Sequence, residues 1–406
     1  MTSTIGVKKI QHTNGTQVMT FDTAGKISSN VSSTGNITTT GTINTPSING
    51  GQIGGRRNII INGAMQIAQR NTTQASIGGN QAYWTLDRYY LNAAGTDGRL
   101  TMSQSAITDL EGFSNALKLD CTTADTSIAA GEVLILQQRV EGFDVQQLKA
   151  TSTSTRAFTL SFYAKSNASR AIVSEINLTN GTNRQISKLH TIGTSWARYT
   201  MTIPAASSTQ IDNDNSHELS VNFWLHAGST YTSGTLNDDA LDSITNANRA
   251  AGIGSFFSST DNTFEITGIQ LELGETATAF EHRSIGEELQ LCKRYFQVLA
   301  DGSRSQNEAI CAGTYYTASV LFHSVVLPVE MRAQPTMVTT NGTNYYITFA
   351  NGSGDHHDAI ARSGNSSKSV VEITAETNVS GTSGHGCFTR IGGTSSDAKC
   401  MFDAEL

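Results

Sequence analysis

The chain has 406 residues, of which 15% are charged, and its formal net charge at pH 7 is −7. This balance gives no reason to expect nucleic-acid binding, which requires a basic surface, and it does not favour an anionic membrane surface either. Glycine occurs 37 times and proline only 4 times, and an abundance of Gly, Ser, Thr and Asn is typical of strands and turns, so we expect a mainly β protein of two or three domains.

Residues 1–55 form the first segment, which differs in composition from the rest. No charged residue falls between Ile27 and Gly55. Isolated aliphatic residues recur there in a Ser/Thr/Asn/Gly background: Ile27, Val31, Ile37, Ile43, Ile48 and Ile53. One chain cannot bury enough apolar surface from this pattern to fold alone. Two interpretations stay open, a disordered linker and a trimeric β stalk in which three chains share one interior.

Upstream of these residues, Asn14 and Gly15 stand between two strand-like runs. Asn-Gly is a strong signal for a tight turn, so the sequence predicts a hairpin at the N-terminal end of the chain. We expect this hairpin to be the part that anchors the protein to a larger assembly.

Residues 56–283 predict one large domain, a jelly-roll-type β-sandwich. Phe158, Leu160 and Phe162 alternate with polar residues, so their strand has one core face and one outer face. Many strands without intervening helices indicate two packed sheets. The predicted strands are Asn58–Asn62, Arg99–Ser105, Ala116–Thr122, Glu132–Val140, Ala157–Ala164, Ile172–Leu178, Trp196–Ile203, Leu219–Leu225 and Phe264–Leu273. Between them, 207–216 and 228–254 are long polar loops, which we expect to form the variable contact surface.

The last strand of this domain changes its apolar parity at Gly268, which predicts a β-bulge. Ser284 and Glu287 then stand at capping-box spacing and predict a linking helix over residues 284–297. Its apolar residues form two stripes, so we expect it to join two β domains or two subunits. The stripe residues are Ile285, Leu289, Cys292 and Phe296 on one side, and Leu291 and Tyr295 on the other.

Residues 298–406 predict a small C-terminal β domain, a sandwich or barrel that closes only in the oligomer and forms the tip. Turn clusters rich in Asn and Gly separate its strand candidates. These candidates are Thr317–Leu327, Thr336–Thr340, Tyr345–Phe349, Ser367–Thr374, Cys387–Ile391 and Ala398–Phe402.

Two stretches are candidates for contact with a receptor. Trp224 has the opposite parity to its apolar neighbours, so its ring is expected to face outward, where it could stack on a sugar; contact with a second sheet or subunit is the alternative. Asp355, His356, His357 and Asp358 predict a polar loop that contacts a receptor. On a three-fold axis such histidines could also meet around a metal, but no metal site or cofactor is predicted.

Motifs for covalent chemistry are missing from the sequence. It contains no G-x-S-x-G, no H-E-x-x-H and no P-loop, so we expect a protein that is not an enzyme. A pair of carboxylates for glycoside cleavage could still be assembled from its many Asp and Glu residues. The five cysteines lack C-x-x-C spacing and are expected to be buried free thiols. With no apolar run of about 18 residues and no signal-peptide core, the sequence predicts neither a transmembrane helix nor secretion by a signal, and we expect a protein that is made and assembled in a cytoplasm.

Four segments resemble phage tail-fibre and related virion proteins, particularly those of marine phages. They are the runs 57–70, 83–90, 269–296 and 327–336, which include RNIIINGAMQIAQR and YWTLDRYY. The resemblance spans roughly residues 56–340. It implies a carbohydrate-binding-module-like sandwich followed by a small C-terminal β module.

In function, the resemblance implies a homotrimer that is anchored to other tail or head proteins through its N-terminus. It also implies assembly in a host cytoplasm and a final location in a virion. Its β domains would bind a host cell-surface glycan or protein, with no nucleic-acid partner and no membrane insertion. Three alternatives stay open: a head- or capsid-attached fibre, a purely structural fibre segment, and a surface-glycan depolymerase.

Overall fold

The computed structural model describes residues 9–11, 17–20, 56–179, 183–207, 209–393 and 396–406. The described residues divide into two units, one within Met1–Pro46 and one within Ser47–Leu406. In the first, β1 (Lys9–Gln11) pairs with β2 (Gln17–Thr20) in antiparallel fashion, which confirms the predicted hairpin. The six aliphatic residues of the predicted stalk lie outside the described residues, and the trimeric stalk therefore stays a prediction.

The second unit begins with a sandwich of two antiparallel sheets, as predicted. Its strands are β3 (Thr73–Ile77), β4 (Gln81–Tyr83), β5 (Tyr90–Asn92), β6 (Arg99–Ala106), β7 (Asn115–Thr123), β8 (Val133–Glu141), β9 (Lys149–Thr151), β10 (Ser154–Thr155), β11 (Phe158–Ser166), β12 (Arg170–Leu178), β13 (Arg184–Ile192), β14 (Ala197–Ile203), β15 (His217–Ala227), β16 (Asp242–Ser243) and β17 (Thr263–Leu273). One sheet has the order β14-β11-β17-β7-β6-β3 and the other β16-β13-β12-β15-β8-β5-β4. Short helices lie in the connections: 3-10 turns at Gly142–Leu148, Asn246–Asn248 and Phe256–Ser258, and α1 (Ser229–Thr232).

Alternating residues of the two sheets fill the main core. Phe158, Leu160 and Phe162 of β11 are fully buried, and so are the facing residues of β15. The rings of Phe162 and Phe223 meet edge to face with centroids 4.9 Å apart. Buried aromatic pairs of this kind add to the stability that apolar burial already gives.

The predicted bulge at Gly268 is confirmed. The pairing of β11 with β17 shifts its register between Ser161 and Tyr163, and Gly268 has a φ of 60°. A Cβ at this position would lie 2.8 Å from the rings of Phe113 and Tyr163. Glycine is therefore required both by the backbone conformation and by the space available.

The predicted strand at Asn58–Asn62 is wrong. Its isoleucines are buried, but the segment forms no strand. Most of its backbone amides donate to side-chain oxygens, while Ile59 N donates to Leu271 O at 2.9 Å. The Asn58 amide donates to Ile269 O at 3.1 Å, and its oxygen accepts from Leu271 N at 3.1 Å. This segment thus packs beside β17 without pairing as a regular strand.

A second β region follows the linking helix α2 (Ile285–Lys293). As predicted, Ser284 caps the start of the helix, and its hydroxyl accepts from Glu287 N. The predicted end at residue 297 is wrong, because the helix ends at Lys293 and Phe296 already opens the next strand. The strands after it are β18 (Phe296–Asp301), β19 (Ala309–Thr317), β20 (Val320–Val326), β21 (Thr336–Thr339), β22 (Tyr346–Ala350), β23 (Ser353–His357), β24 (Ala361–Arg362), β25 (Val370–Ala375), β26 (Gly386–Ile391) and β27 (Lys399–Asp403). They form sheets of order β18-β27-β21 and β23-β22-β26-β19-β20-β25-β24, with a separate hydrophobic core.

Both β regions belong to one compact unit, so the predicted domain boundaries stay predictions. The five cysteines are free thiols, and four of them are buried as predicted, whereas Cys311 is only half-buried. In the described part of the chain, no helix has the length and apolar character needed to cross a bilayer.

Candidate functional site

The linking helix contacts both β regions. Cys292 and Tyr295 are fully buried in a small apolar cluster with Ile61 and Ile67 from the start of the sandwich. Leu406, at the other end of the sequence, packs against the same cluster. The two stripes therefore join two parts of the chain, as predicted, except that Ile285 of the first stripe is 58% exposed.

A buried arginine fixes this joint. Arg88 lies with its guanidinium carbon 3.3 Å from the ring centroid of Tyr295, and it donates to a carboxylate oxygen of Glu405 and to Arg139 O. Burial lowers the pKa of Arg88, but the Glu405 carboxylate, together with Tyr295, Tyr83 and Cys292, outweighs burial and raises this pKa above its ordinary value. The group therefore stays charged inside the protein, as a buried ion pair with additional hydrogen bonds can.

Arg70 makes a second link across the joint. Its guanidinium lies 3.7 Å from the ring centroid of Phe296 and 5.2 Å from that of Tyr83. It forms ion pairs with Asp403 at 2.9 Å and Glu405 at 3.3 Å. Rings on both sides and carboxylates at its end hold the planar group in one position.

A groove runs along the surface of this joint, and we call it the joint groove. It consists of two adjoining cavities of about 680 Å³ and 370 Å³, whose walls share Arg70, Asn71 and Lys399. Gln66, Gln69, Asp301 and Arg304 are among the residues that line the larger cavity. Gln74, Tyr83, Trp84, Phe296, Val338 and Asp403 are among those that line the smaller one.

The smaller cavity combines aromatic rings with amide groups. Trp84 and Tyr83 are half-buried there, while Asn71 is exposed beside them. The buried indole N–H of Trp84 has no hydrogen-bond partner among the described residues, and an unpaired buried donor is costly. An apolar wall with a few polar groups is the usual composition of a small-ligand site. The groove is therefore suited to a ligand with a ring and several hydroxyl or charged groups.

The two carboxylates of the groove are already engaged. Asp301 accepts from Ser303 and lies 3.6 Å from Arg304. Asp403 accepts from Arg70 at 2.9 Å and from the Glu405 amide at 2.9 Å. Each side chain is thus held by a neighbouring arginine and by hydrogen bonds.

Trp224 lies on the outer face of its sheet, as its parity predicts, but the predicted exposure of its ring is wrong. It is fully buried, and its indole N–H donates to Glu175 at 2.9 Å. Arg249 lies 4.8 Å above its ring and forms an ion pair with the same glutamate at 2.7 Å. The segment 228–254 supplies Arg249 and apolar side chains that cover the outer face of this sheet. A sugar cannot reach this ring while the segment is in place.

The predicted loop around His356 is part of a strand. Asp355 accepts from the Tyr315 hydroxyl at 3.1 Å, and it lines a third cavity of about 310 Å³. His357 is fully buried and bonded to Thr348 Oγ1 at 3.0 Å, and burial lowers its pKa. His356 is exposed, and Asp358 is half-buried and accepts from Asn344 N. Strand β23 therefore sends alternate residues to opposite faces and does not bring the four together.

No group of three or more His, Cys, Asp or Glu that could hold a metal occurs among the described residues.

A serine, a histidine and a glutamate, the residue types of a hydrolase triad, lie together elsewhere in the sandwich. His226 Nδ1 is 2.8 Å from Ser255 Oγ, and His226 Nε2 is 3.1 Å from Glu132 Oε2. The ring is fully buried, and the serine oxygen also accepts from Phe257 N as the cap of a 3-10 turn. The ring nitrogens are also reversed relative to the serine-hydrolase triad, in which Nε2 faces the nucleophile. These hydrogen bonds show that the three residues hold the 3-10 turn in place.

The joint groove was missed by sequence reasoning. Its walls come from residues near 70, near 84, near 300 and near 400, which no local pattern connects. The only available signal was that 57–70 and 83–90 belong to the segments on which the resemblance rests.

Comparison with known proteins finds only distant structural similarities. No family profile and no curated protein matches the chain. The enzymatically active domain of tailspike protein 4 from bacteriophage CBA120 has 15% identity and a TM-score of 0.28, over 53% of this chain and 21% of that one. The present chain thus spans about a fifth of that tailspike domain.

Two carbohydrate-binding structures are similar at the same level. The N-terminal cellulose-binding domain of Cellulomonas fimi β-1,4-glucanase C has 10% identity and a TM-score of 0.24, over 45% of this chain and 88% of that one. A family 11 carbohydrate-binding module of a Clostridium thermocellum cellulase has 12% identity and a TM-score of 0.25, over 52% and 98%. TM-scores this low carry no argument about function.

Proposed function

We propose that the chain is a structural and adhesion component of a phage particle, a tail-fibre-like homotrimer anchored by its N-terminus. In this proposal the joint groove binds a host cell-surface glycan. The observation that carries it is the wall of half-buried Trp84 and Tyr83 beside the amides of Asn71 and Gln74. Three of the four segments that resemble virion proteins contribute to this groove or its floor, which adds support.

The chemistry of the groove matches that of a sugar. A pyranose has an apolar face that can pack on an aromatic ring, and hydroxyl groups that pair with amide and carboxylate side chains. A single site of this kind binds weakly, because few groups are desolvated. Three sites on one trimer would raise the effective affinity by a factor of about 10² to 10⁴.

The groove supports binding rather than cleavage. Hydrolysis of a glycoside needs one carboxyl group to give a proton and a second carboxylate to act as base or nucleophile. Asp301 and Asp403 line the groove, but each already accepts hydrogen bonds and pairs with an arginine. We therefore prefer an adhesin to a depolymerase.

The test is binding of the protein to purified surface polysaccharides of candidate hosts, with reducing ends assayed in the same samples. Trp84→Ala should weaken binding at least about tenfold, because it removes the aromatic wall. Trp196→Ala is the matched control, since Trp196 is also half-buried but contacts Asp109 and Lys165, away from the groove. Asn71→Ala, at an exposed position, tests the groove without touching the core.

Binding without new reducing ends, lost in the Trp84 and Asn71 variants alone, would support the proposal. New reducing ends would show that the protein cleaves the glycan, and the depolymerase would then replace the adhesin as the proposed function. Equal binding by all variants would show that the joint groove is not the glycan-binding site.

A further inference from the structure

We infer that the glycan taken by the joint groove is acidic, and that Lys399 binds its anionic substituent. This inference rests on the proposed function and deepens it, because it names the class of ligand. It follows from the charges of the groove and from the way in which they are paired.

Most of the charge in the groove is internally neutralised. Among its described lining residues, the cations are Arg70, Arg304 and Lys399, and the carboxylates are Asp301 and Asp403. Arg70 pairs with Asp403, and Arg304 pairs with Asp301. One cation therefore remains without a counter-charge.

That cation is Lys399. It opens strand β27 and lines both cavities, so it lies where the two parts of the groove meet. The side chain is half-buried, and its ammonium has no ion pair or hydrogen bond among the described residues. The chain as a whole carries −7, so this local excess of positive charge is contrary to the overall balance.

A free ammonium in a partly enclosed groove prefers an anion to a hydroxyl group. Hydrogen bonds between charged groups are about twice as strong as those between neutral groups, and partial burial reduces screening by solvent. The matching groups on a saccharide are the carboxylate of a uronic or related sugar acid and a sulfate ester. Trp84 and Tyr83, in the adjoining cavity, would then contact the sugar ring.

The experiment uses the full chain and an array of oligosaccharides in matched sets, each comprising a neutral member, its carboxylated counterpart and its sulfated counterpart. The acidic members should be bound at least about tenfold more tightly than the neutral ones. Lys399→Gln should remove this preference, so that the acidic and the neutral members of each set bind equally. Raising the salt concentration should reduce binding of acidic members only.

Lys368→Gln is the matched control, because it removes the same charge from an exposed lysine outside the groove. Whether carboxylated or sulfated members respond to Lys399→Gln identifies the anion. Equal binding of neutral and acidic members, or an unchanged preference in Lys399→Gln, would overturn the inference while leaving glycan binding in place. If the array and the host polysaccharides are all unbound by the wild-type protein, the proposed function fails and this inference fails with it.

Discussion

Arg88 is the residue on which the joint depends most strongly. Its guanidinium is covered by the ring of Tyr295, and Glu405 supplies the opposite charge in the same dry space. Two such groups cost free energy to bury, and the cost is offset only while both are present. Arg70 shares Glu405, so the arginines and the carboxylate form one network.

Replacement of Arg88 by methionine should therefore destabilise the protein by about 3–5 kcal/mol, because Glu405 loses a buried partner. Chemical denaturation measures this change. Arg56→Met is the matched control: Arg56 also pairs with a glutamate, Glu287, but is 56% exposed, and an exposed pair contributes about 0–1 kcal/mol. Similar losses in both variants would show that Arg88 has no special role.

For single residues, the sequence indicates a contact only where the two partners are close to each other in the chain. The Ser284 cap was predictable because both partners lie within four residues. Trp224 was misplaced because its exposure depends on the segment 228–254, and on the ion pair between Arg249 and Glu175 that holds this segment. Alternation along β15 gave the side of the sheet correctly, but what covers that side is a property of the tertiary structure.

Strand β17 is the element that ties the sandwich together. It pairs with β11 on one side and with β7 on the other, and nearly all of its residues are buried. The bulge at Gly268 lets both halves of the strand point their apolar residues into the core. Its parity shift was visible in the sequence because a register change reverses every side chain that follows.

Gly268→Ala should destabilise the sandwich by about 1–3 kcal/mol, since the new Cβ meets two rings and φ is positive. Gly286→Ala is the control with the opposite expectation. Gly286 lies in the first turn of α2, and a Cβ there meets nothing within 4 Å. Alanine should leave stability unchanged or raise it by up to about 1 kcal/mol. A neutral effect at Gly268, measured by the same denaturation, would mean that the bulge can relax.

Strands in which apolar and polar residues alternate cleanly were predicted well. Strands whose apolar pattern is interrupted were missed. The strands around Phe158, Leu219 and Phe264 match the structure within two residues at each end. Strand β13 was missed because polar residues interrupt its apolar pattern, and β19 because Gly, Ala and Thr weaken its signal. The isoleucines of 58–62 gave a false strand, since burial alone does not distinguish a strand from a packed irregular segment.

For the whole molecule, the main result is that the ends of one compact unit meet. Residues near 70 and 84 contact residues near 300 and 400, and their contacts create the joint groove. The fold class and the joining role of α2 were accessible from the sequence. The groove was not, because it depends on the relative placement of segments more than 200 residues apart.

The trimer is the remaining claim at this scale, and it determines how the groove would be used. Residues 1–55 are expected to hold three copies together, so that three weak sites act on one surface. Removal of 1–55 should then leave the affinity of a single groove unchanged, while binding to a glycan-coated surface should fall by a factor of about 10² to 10⁴.

Sedimentation equilibrium of the full chain, compared with residues 56–406, tests the account most directly. We predict a mass three times that of the 43.3 kDa chain for the full protein and a single-chain mass for the shorter one. A full-length protein that stays a stable monomer across the concentration range would contradict the stalk, and with it the tail-fibre-like homotrimer.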